Sequence, residues 1–223
     1  NAVSGSVFTS FFNSGQICTT GSRLLIQDTI ADEFVDKLIN KTKKIILGDP
    51  FDENTKMGPL ITGKQLCKVK KFINSGINSS AKLIIGGNST QIKGLEKGFF
   101  LNPTIFTNVH PDIKIAQEEI FGPVLSIISF SNEEEAIKIA NNTIYGLAAT
   151  IWTNDLSRTL RMSEKLSAGI IWTNCPNYLK FNVPYEGHKF RGDGEDLGTE
   201  SLRTFTKLKV NYINYGNNKI SWV

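Results

Sequence analysis

Val3, Val7 and Phe11 recur at four-residue spacing, which predicts a helix burying one stripe, and Gly15 breaks the pattern just before Cys18. Leu24, Leu25 and Ile26, inside Arg23 to Gln27, form a short apolar run that reads as a strand. Thr29 and Asp32 have capping-box spacing and predict a helix through Phe34, Leu38 and Ile45, closed by Gly48-Asp49-Pro50. A second amphipathic helix carries Leu66, Val69, Phe72 and Ile73, and Lys82 to Ile85 reads as the next strand. After the Gly86-Gly87 turn come strands at Phe99 to Phe106 and Val124 to Phe130, then a helix opened by Ser131 with Glu134. Ala148 to Trp152, Leu156 to Leu166 and Gly169 to Thr173 make a strand, helix, strand unit. The repeated switch of period predicts a layered α/β domain with parallel strands. Phe205, Leu208, Val210 and Tyr212 suggest a late strand of the kind that pairs outside its own domain, followed by a polar tail from Gly216.

The 223 residues are 40% hydrophobic and 21% charged, which suits a packed globular chain and excludes disordered and collagen-like classes. The longest apolar runs, such as Val124 to Phe130, fall far short of the roughly 20 residues a membrane-spanning helix needs. The net charge of +4 is spread among interleaved Lys, Arg, Asp and Glu, so neither a nucleic-acid tail nor a membrane partner is expected. The three cysteines, Cys18, Cys67 and Cys175, are widely separated and odd in number, so a reducing compartment is expected rather than a disulfide framework. His110 and His188 lack a second ligand at helical spacing, so no metal site is expected. Asn1 stands where methionine would open a chain, without the basic flank of a secretory signal, and a longer polypeptide is the expectation.

One constellation changes this picture. An arbitrary cysteine reads first as a small buried apolar residue, but Cys18 ends Phe12-Asn13-Ser14-Gly15-Gln16-Ile17-Cys18 and is followed by Ser22 and Arg23. A thiol must ionise from a reference pKa of about 8.5 to attack, and glycine before it lets a backbone N–H approach a developing oxyanion. This stretch closely resembles the nucleophile segment of the aldehyde dehydrogenase superfamily. Glu119-Ile120-Phe121-Gly122-Pro123 resembles the superfamily's second signature. In isolation that pentapeptide reads as an acidic helix end before a Gly-Pro turn. The likeness continues through Gly48-Asp49-Pro50, Met57-Gly58-Pro59-Leu60, Pro103-Thr104-Ile105-Phe106, Asn141-Asn142-Thr143, Tyr145-Gly146-Leu147-Ala148 and Ala168-Gly169 to Asn174, for which turn, core and loop-holding roles are expected.

The resemblance implies a three-layer α/β catalytic domain over 1–203 with a mainly parallel sheet, then an oligomerisation strand and tail over 204–223. It implies Cys18 as nucleophile, Glu119 on the nicotinamide ribose, Phe121 against the nicotinamide ring, and NAD or NADP as cofactor. Glu118 is read as a neighbour of the ligand. The family's cofactor-binding domain, oxyanion-hole asparagine and general-base glutamate are expected to precede Asn1. A homo-oligomer acting on a small aldehyde in the cytoplasm or an organelle is also implied.

Trp172-Thr173-Asn174-Cys175 and the tail Ser221-Trp222-Val223 are most similar to the betaine and aminoaldehyde branch. Trp172, Cys175 and Tyr185 are the expected substrate-pocket residues. The aromatic faces of Trp172 and Tyr185 would suit a trimethylammonium aldehyde, or they would simply wall a pocket for any medium-sized aldehyde.

Gly192-Asp193-Gly194 superficially suggests a dinucleotide fingerprint, but Leu197 stands where its last glycine belongs. The same stretch keeps Pro184, Tyr185, Gly187, Lys189, Gly192, Gly194, Leu197 and Gly198 of the family pattern. Glu186 replaces glycine, Arg191 serine, Glu195 arginine and Asp196 glutamate, departures that put the geometry of this loop in question. Two rival readings stand beside oxidation: a cysteine hydrolase, which would need a base histidine, and a truncated dehydrogenase without catalysis.

Overall fold

The computed structural model describes residues 1–190 and 194–216. Two compact units emerge, Asn1–Tyr178 with Gly187–Gly192, and Leu179–Glu186 with Asp193–Val223. Arg191, Gly192 and Asp193, and the tail from Asn217 through Val223, lie outside the described residues, and with them the substitution at 191, most of the Gly192-Asp193-Gly194 stretch and the tail comparison.

In chain order the first unit holds α1 (Ala2–Phe11), β1 (Arg23–Gln27), α2 (Ala31–Thr42), α3 (Gly63–Ile77), β2 (Lys82–Ile85), β3 (Thr104–Thr107), α4 (Lys114–Gln117), β4 (Val124–Phe130), α5 (Glu133–Asn141), β5 (Tyr145–Gly146), β6 (Ala148–Ile151), α6 (Leu156–Lys165), β7 (Ile170–Thr173) and β8 (His188–Lys189). A four-stranded sheet runs β1-β4-β3-β2. β4 pairs in parallel with both β1 and β3, and β2 joins β3 antiparallel. β6 and β7 form a separate parallel pair, and β5 pairs antiparallel with β8.

The alternation of β4 explains the layering. Val124 and Ile128 face a cluster with Val69, Phe72 and Ile73 of α3 and Ile115 of α4. Leu125 and Ile127 face the opposite cluster, with Val7 and Phe11 of α1 and Leu38 of α2. A strand buried on both faces between helices gives the three layers and mainly parallel sheet expected from the sequence. Ser126, the one polar residue inside that buried stretch, donates through its hydroxyl to the Ile115 carbonyl at 3.1 Å and so leaves no unsatisfied donor.

Several expectations shift. The Thr29–Asp32 capping box does not form: a 3-10 turn at Asp28–Ile30 precedes α2, with Asp28 Oδ1 accepting the Thr29 amide, and α2 ends at Thr42, before Ile45. α5 is capped one residue later than read. Asn132 accepts the Glu135 amide, while the Glu135 carboxylate accepts from the Ser131 amide and hydroxyl. The strand expected over Phe99 to Phe106 shrinks to β3, because Pro103 has no amide to donate. Gly146 lies in β5 and not in a turn; a Cβ there would sit 2.7 Å from the Ser167 carbonyl oxygen.

In the second unit Tyr185 and Asp196 exchange two backbone hydrogen bonds, and α7 (Glu200–Thr204) follows. The late strand expected at Phe205 to Tyr212 is not formed among the described residues. Phe205, Leu208, Val210 and Tyr212 are exposed, Leu208 to 94%. A strand exists only through a ladder, and among the described residues this segment pairs with no strand.

α5 and α6 are joined by charge. Arg161 and Arg158 both bond Glu133, at 2.9 and 3.1 Å, and hold its carboxyl at about 2, below its ordinary 4.5. A depressed carboxylate contributes stability above its unfolded value, near 4.5, and loses it as pH falls towards about 2. Glu133→Gln is therefore expected to flatten the stability profile across that window and change little of its slope near neutrality. Thermal unfolding followed from pH 7 down to pH about 2.5 checks this, and parallel profiles for the two proteins would refute it.

Candidate active site

The loop that carries Cys18 is shaped before the cysteine is reached. α1 ends at Phe11, and Asn13, Ser14 and Gly15 then follow one another in the left-handed region, at φ 51°, 58° and 68°. Ser14 Oγ donates to the Gly58 carbonyl at 2.7 Å, and Gln16 Oε1 accepts the Ile61 amide at 3.0 Å. The turn presses Gly15 against the Gly122 backbone so closely that a Cβ would lie 2.2 Å from the Gly122 carbonyl oxygen. Beyond Cys18, Thr20 Oγ1 donates to the Gly15 carbonyl at 3.1 Å, and the Gly21 amide donates to the Thr9 carbonyl at 3.1 Å. Thr19 Oγ1 bonds Asn177 Oδ1 at 2.8 Å. Cys18 is exposed on a loop tied at both ends, as the break at Gly15 led one to expect.

The second signature follows α4. Glu118 turns to Lys114 at 3.8 Å, Glu119 is exposed, and Ile120 is buried in the core beside α3. Phe121 is half-buried and left-handed at φ 57°. Gly122 packs on Val69, where a Cβ would fall 2.5 Å from Cγ2. Gln65 of α3 donates from Nε2 to both the Ile120 carbonyl, at 3.1 Å, and the Phe121 carbonyl, at 2.7 Å. The fold thus brings the two signatures into contact and backs the second with α3. Sequence reasoning did not single out Gln65, because one glutamine on a helix face carries no pattern of its own.

The other expected pocket residues are placed less uniformly. Trp172 in β7 is only 7% exposed and gives its indole N–H to the Tyr178 carbonyl at 2.9 Å. Asn174, at φ 57°, accepts the Thr153 amide at 3.1 Å and donates to the Thr153 carbonyl at 2.8 Å, the loop-holding role expected for it. Cys175 is exposed next to it. Tyr185 belongs to the second unit, half-buried and paired with Asp196.

Two cations close the C-terminal end of α5. Arg23 donates to the Ile139 carbonyl at 2.6 Å and the Ala140 carbonyl at 3.3 Å, and burial lowers its pKa. Lys189 Nζ donates to the Asn141 and Thr143 carbonyls at 2.9 and 3.1 Å. Both charges meet the negative end of the helix dipole, which anchors the strand leaving the Cys18 loop. Among the described residues no cluster of three His, Cys, Asp or Glu side chains could hold a metal ion, and no helix is long and apolar enough to cross a membrane.

A betaine aldehyde dehydrogenase of Bacillus subtilis (strain 168) is 42% identical over 212 residues, covering 95% of this chain and 43% of that protein. One from Brucella anthropi is 40% identical over 216 residues, covering 97% of this chain and 44% of that protein. The chain therefore spans less than half the length of these curated relatives. Among solved structures, a betaine aldehyde dehydrogenase from Staphylococcus aureus in complex with NAD+ superposes with TM-score 0.88 at 38% identity, over 90% of this chain and 40% of that one. An indole-3-acetaldehyde dehydrogenase of P. syringae in complex with NAD+ and IAA superposes with TM-score 0.89 at 38% identity, over 93% and 42%. Residues 1–211, which include both loops in contact at Gly15 and the sheet that carries them, match the aldehyde dehydrogenase family profile, and the chain belongs to that family.

Proposed function

We propose that this chain supplies the nucleophile and part of the cofactor site for NAD-dependent oxidation of an aldehyde to a carboxylic acid. The observation that carries the reading is the Gly15–Gly122 contact, which sets the exposed Cys18 loop against the segment bearing Glu119 and Phe121. The relatives support it: the S. aureus structure holds NAD+ together with a BME-modified cysteine, and the P. syringae one is a cysteine-to-alanine mutant.

The residues present fit a nicotinamide riboside. Glu119 offers an exposed carboxylate to paired ribose hydroxyls, and Phe121 offers a half-buried ring to a flat heterocycle. Bound NAD accepts the hydride that makes the reaction an oxidation. Cys18 as thiolate adds to the aldehyde carbon, forming the C–S bond while the carbonyl pair moves to oxygen, and a backbone N–H of its own loop faces that oxygen. A thioester then remains on Cys18. Its hydrolysis needs a base to activate water, and no residue of this chain is assigned that step.

For substrate we propose betaine aldehyde or an aminoaldehyde, in line with the names of the relatives. Trp172, packed and with its donor used, serves as wall, and the exposed Cys175 is the side chain of the same unit for the substrate to meet. Self-association through the exposed 205–215 segment belongs to the same reading, and a monomer in solution scattering would remove it.

The test is NADH formation by the full-length gene product from betaine aldehyde and from propionaldehyde, with Glu119→Gln alongside. Turnover favouring betaine aldehyde is expected, and the variant, which loses a charged acceptor, should raise the KM for NAD on the order of 10-fold. No turnover with either aldehyde would favour a non-catalytic fragment of the family. An unchanged KM would remove Glu119 from the site.

A further inference from the structure

We propose that Gln65 is a positioning residue for the cofactor segment: its side-chain amide holds Phe121 in a left-handed conformation and thereby aims the Phe121 ring and the Glu119 carboxylate. The inference rests on the reading of Glu119 and Phe121 as cofactor contacts. Non-glycine residues without a short polar side chain rarely keep a positive φ unless their surroundings hold them, and Phe121 sits at 57°. The hold is visible. One amide group donates to two consecutive carbonyls, those of Ile120 and Phe121, in a stretch outside any helix or strand.

Gln65 can do this because its own helix start is fixed. Thr62 caps α3 by accepting the Gln65 amide at 3.1 Å, and the neighbouring Ile61 amide is taken by Gln16 of the nucleophile loop at 3.0 Å. The chain entering α3 and its first turn are thus bonded to both signatures at once, to the cysteine loop through Ile61 just before the cap and to the cofactor segment through Gln65. Gly122 against Val69 and Gly15 against Gly122 complete the stack. Packing fixes Gly122 and burial fixes Ile120, while Phe121, between them, depends on the hydrogen bonds for its carbonyl direction.

Gln65→Met keeps the length and helix propensity of the side chain and removes both donors, and Gln65→Lys returns a donor. Three readouts on the full-length gene product test the proposal: amide hydrogen exchange over residues 119–122 without cofactor, the KM for NAD, and the rate of Cys18 alkylation by iodoacetamide. Loss of two ordinary hydrogen bonds should raise exchange and KM on the order of 10-fold in Gln65→Met. Alkylation should stay as in the parent, and Gln65→Lys should recover most of both losses. A merely structural role would instead shift alkylation together with the other two and would not be rescued. Unchanged exchange over 119–122 overturns the proposal, as does an unchanged KM. If the parent protein oxidises no aldehyde, the functional reading fails separately, and hydrogen exchange in the two variants still decides whether Gln65 holds this segment.

Discussion

Cys18→Ser is expected to lower aldehyde oxidation by on the order of 10^3-fold or more while leaving thermal stability and NAD binding as they were. Serine holds its proton at neutral pH, so the attacking anion is all but lost, and a 10^3-fold drop corresponds to about 4 kcal/mol of barrier. Cys18 is exposed, and the turn is held by its neighbours: Thr20 Oγ1 on the Gly15 carbonyl, the Thr20 amide on the Ile17 carbonyl, and Thr19 on Asn177. The measurement is kcat at saturating NAD, with unfolding midpoints for both proteins. Turnover within 10-fold of the parent would remove Cys18 from the chemistry. A stability loss of several degrees would show instead that the thiol has a packing role.

What the sequence disclosed about this site, and what it hid, follow from the range of the interactions involved. The helix through Val3, Val7 and Phe11, the strands at Arg23–Gln27 and Val124–Phe130, and the α3 stripe were legible because each buries a periodic face. Cys18 and Glu119 are singled out by short local motifs, and the roles given to them remain proposals. The contact between those motifs was not, because nothing near Gly15 in sequence says that its missing Cβ makes room for the Gly122 carbonyl. Gln65, Thr19 and Asn177 were hidden for a related reason, since a side chain bonding across the fold follows no spacing rule. Cap positions slipped where several residues could serve, as at Ser131 and Asn132 before three consecutive glutamates. The strand at Phe205 to Tyr212 was read from a mixed apolar pattern and from the family resemblance, and neither supplies a partner strand.

That hidden contact makes a second large effect testable. Gly15→Ala is expected to destabilise the protein by about 2–5 kcal/mol and to abolish oxidation, through two separable causes. An L-residue at φ 68° costs roughly 1–2 kcal/mol, and overpacking adds typically 1–3 kcal/mol more. The overpacking is severe in kind because every atom met is backbone: the new methyl would lie 2.2 Å from the Gly122 oxygen, 2.5 Å from its carbonyl carbon and 2.9 Å from the Pro123 nitrogen. No side-chain rotation relieves it, so either the Cys18 loop or the Glu119–Pro123 segment must retreat. Gly94 provides the control, since it has φ 84° with nothing within 4 Å of an added Cβ. Gly94→Ala should therefore carry the conformational penalty alone, about 1–2 kcal/mol, and leave oxidation intact. Unfolding midpoints should separate the variants, at roughly 2–4 °C per kcal/mol for a chain of this size. Equal losses would mean that Gly15 serves only its backbone angle and that the two loops do not depend on close approach. A larger loss for Gly15→Ala, with Cys18 alkylation altered in that variant alone, would tie the position of the nucleophile to the 2.2 Å gap that a glycine leaves.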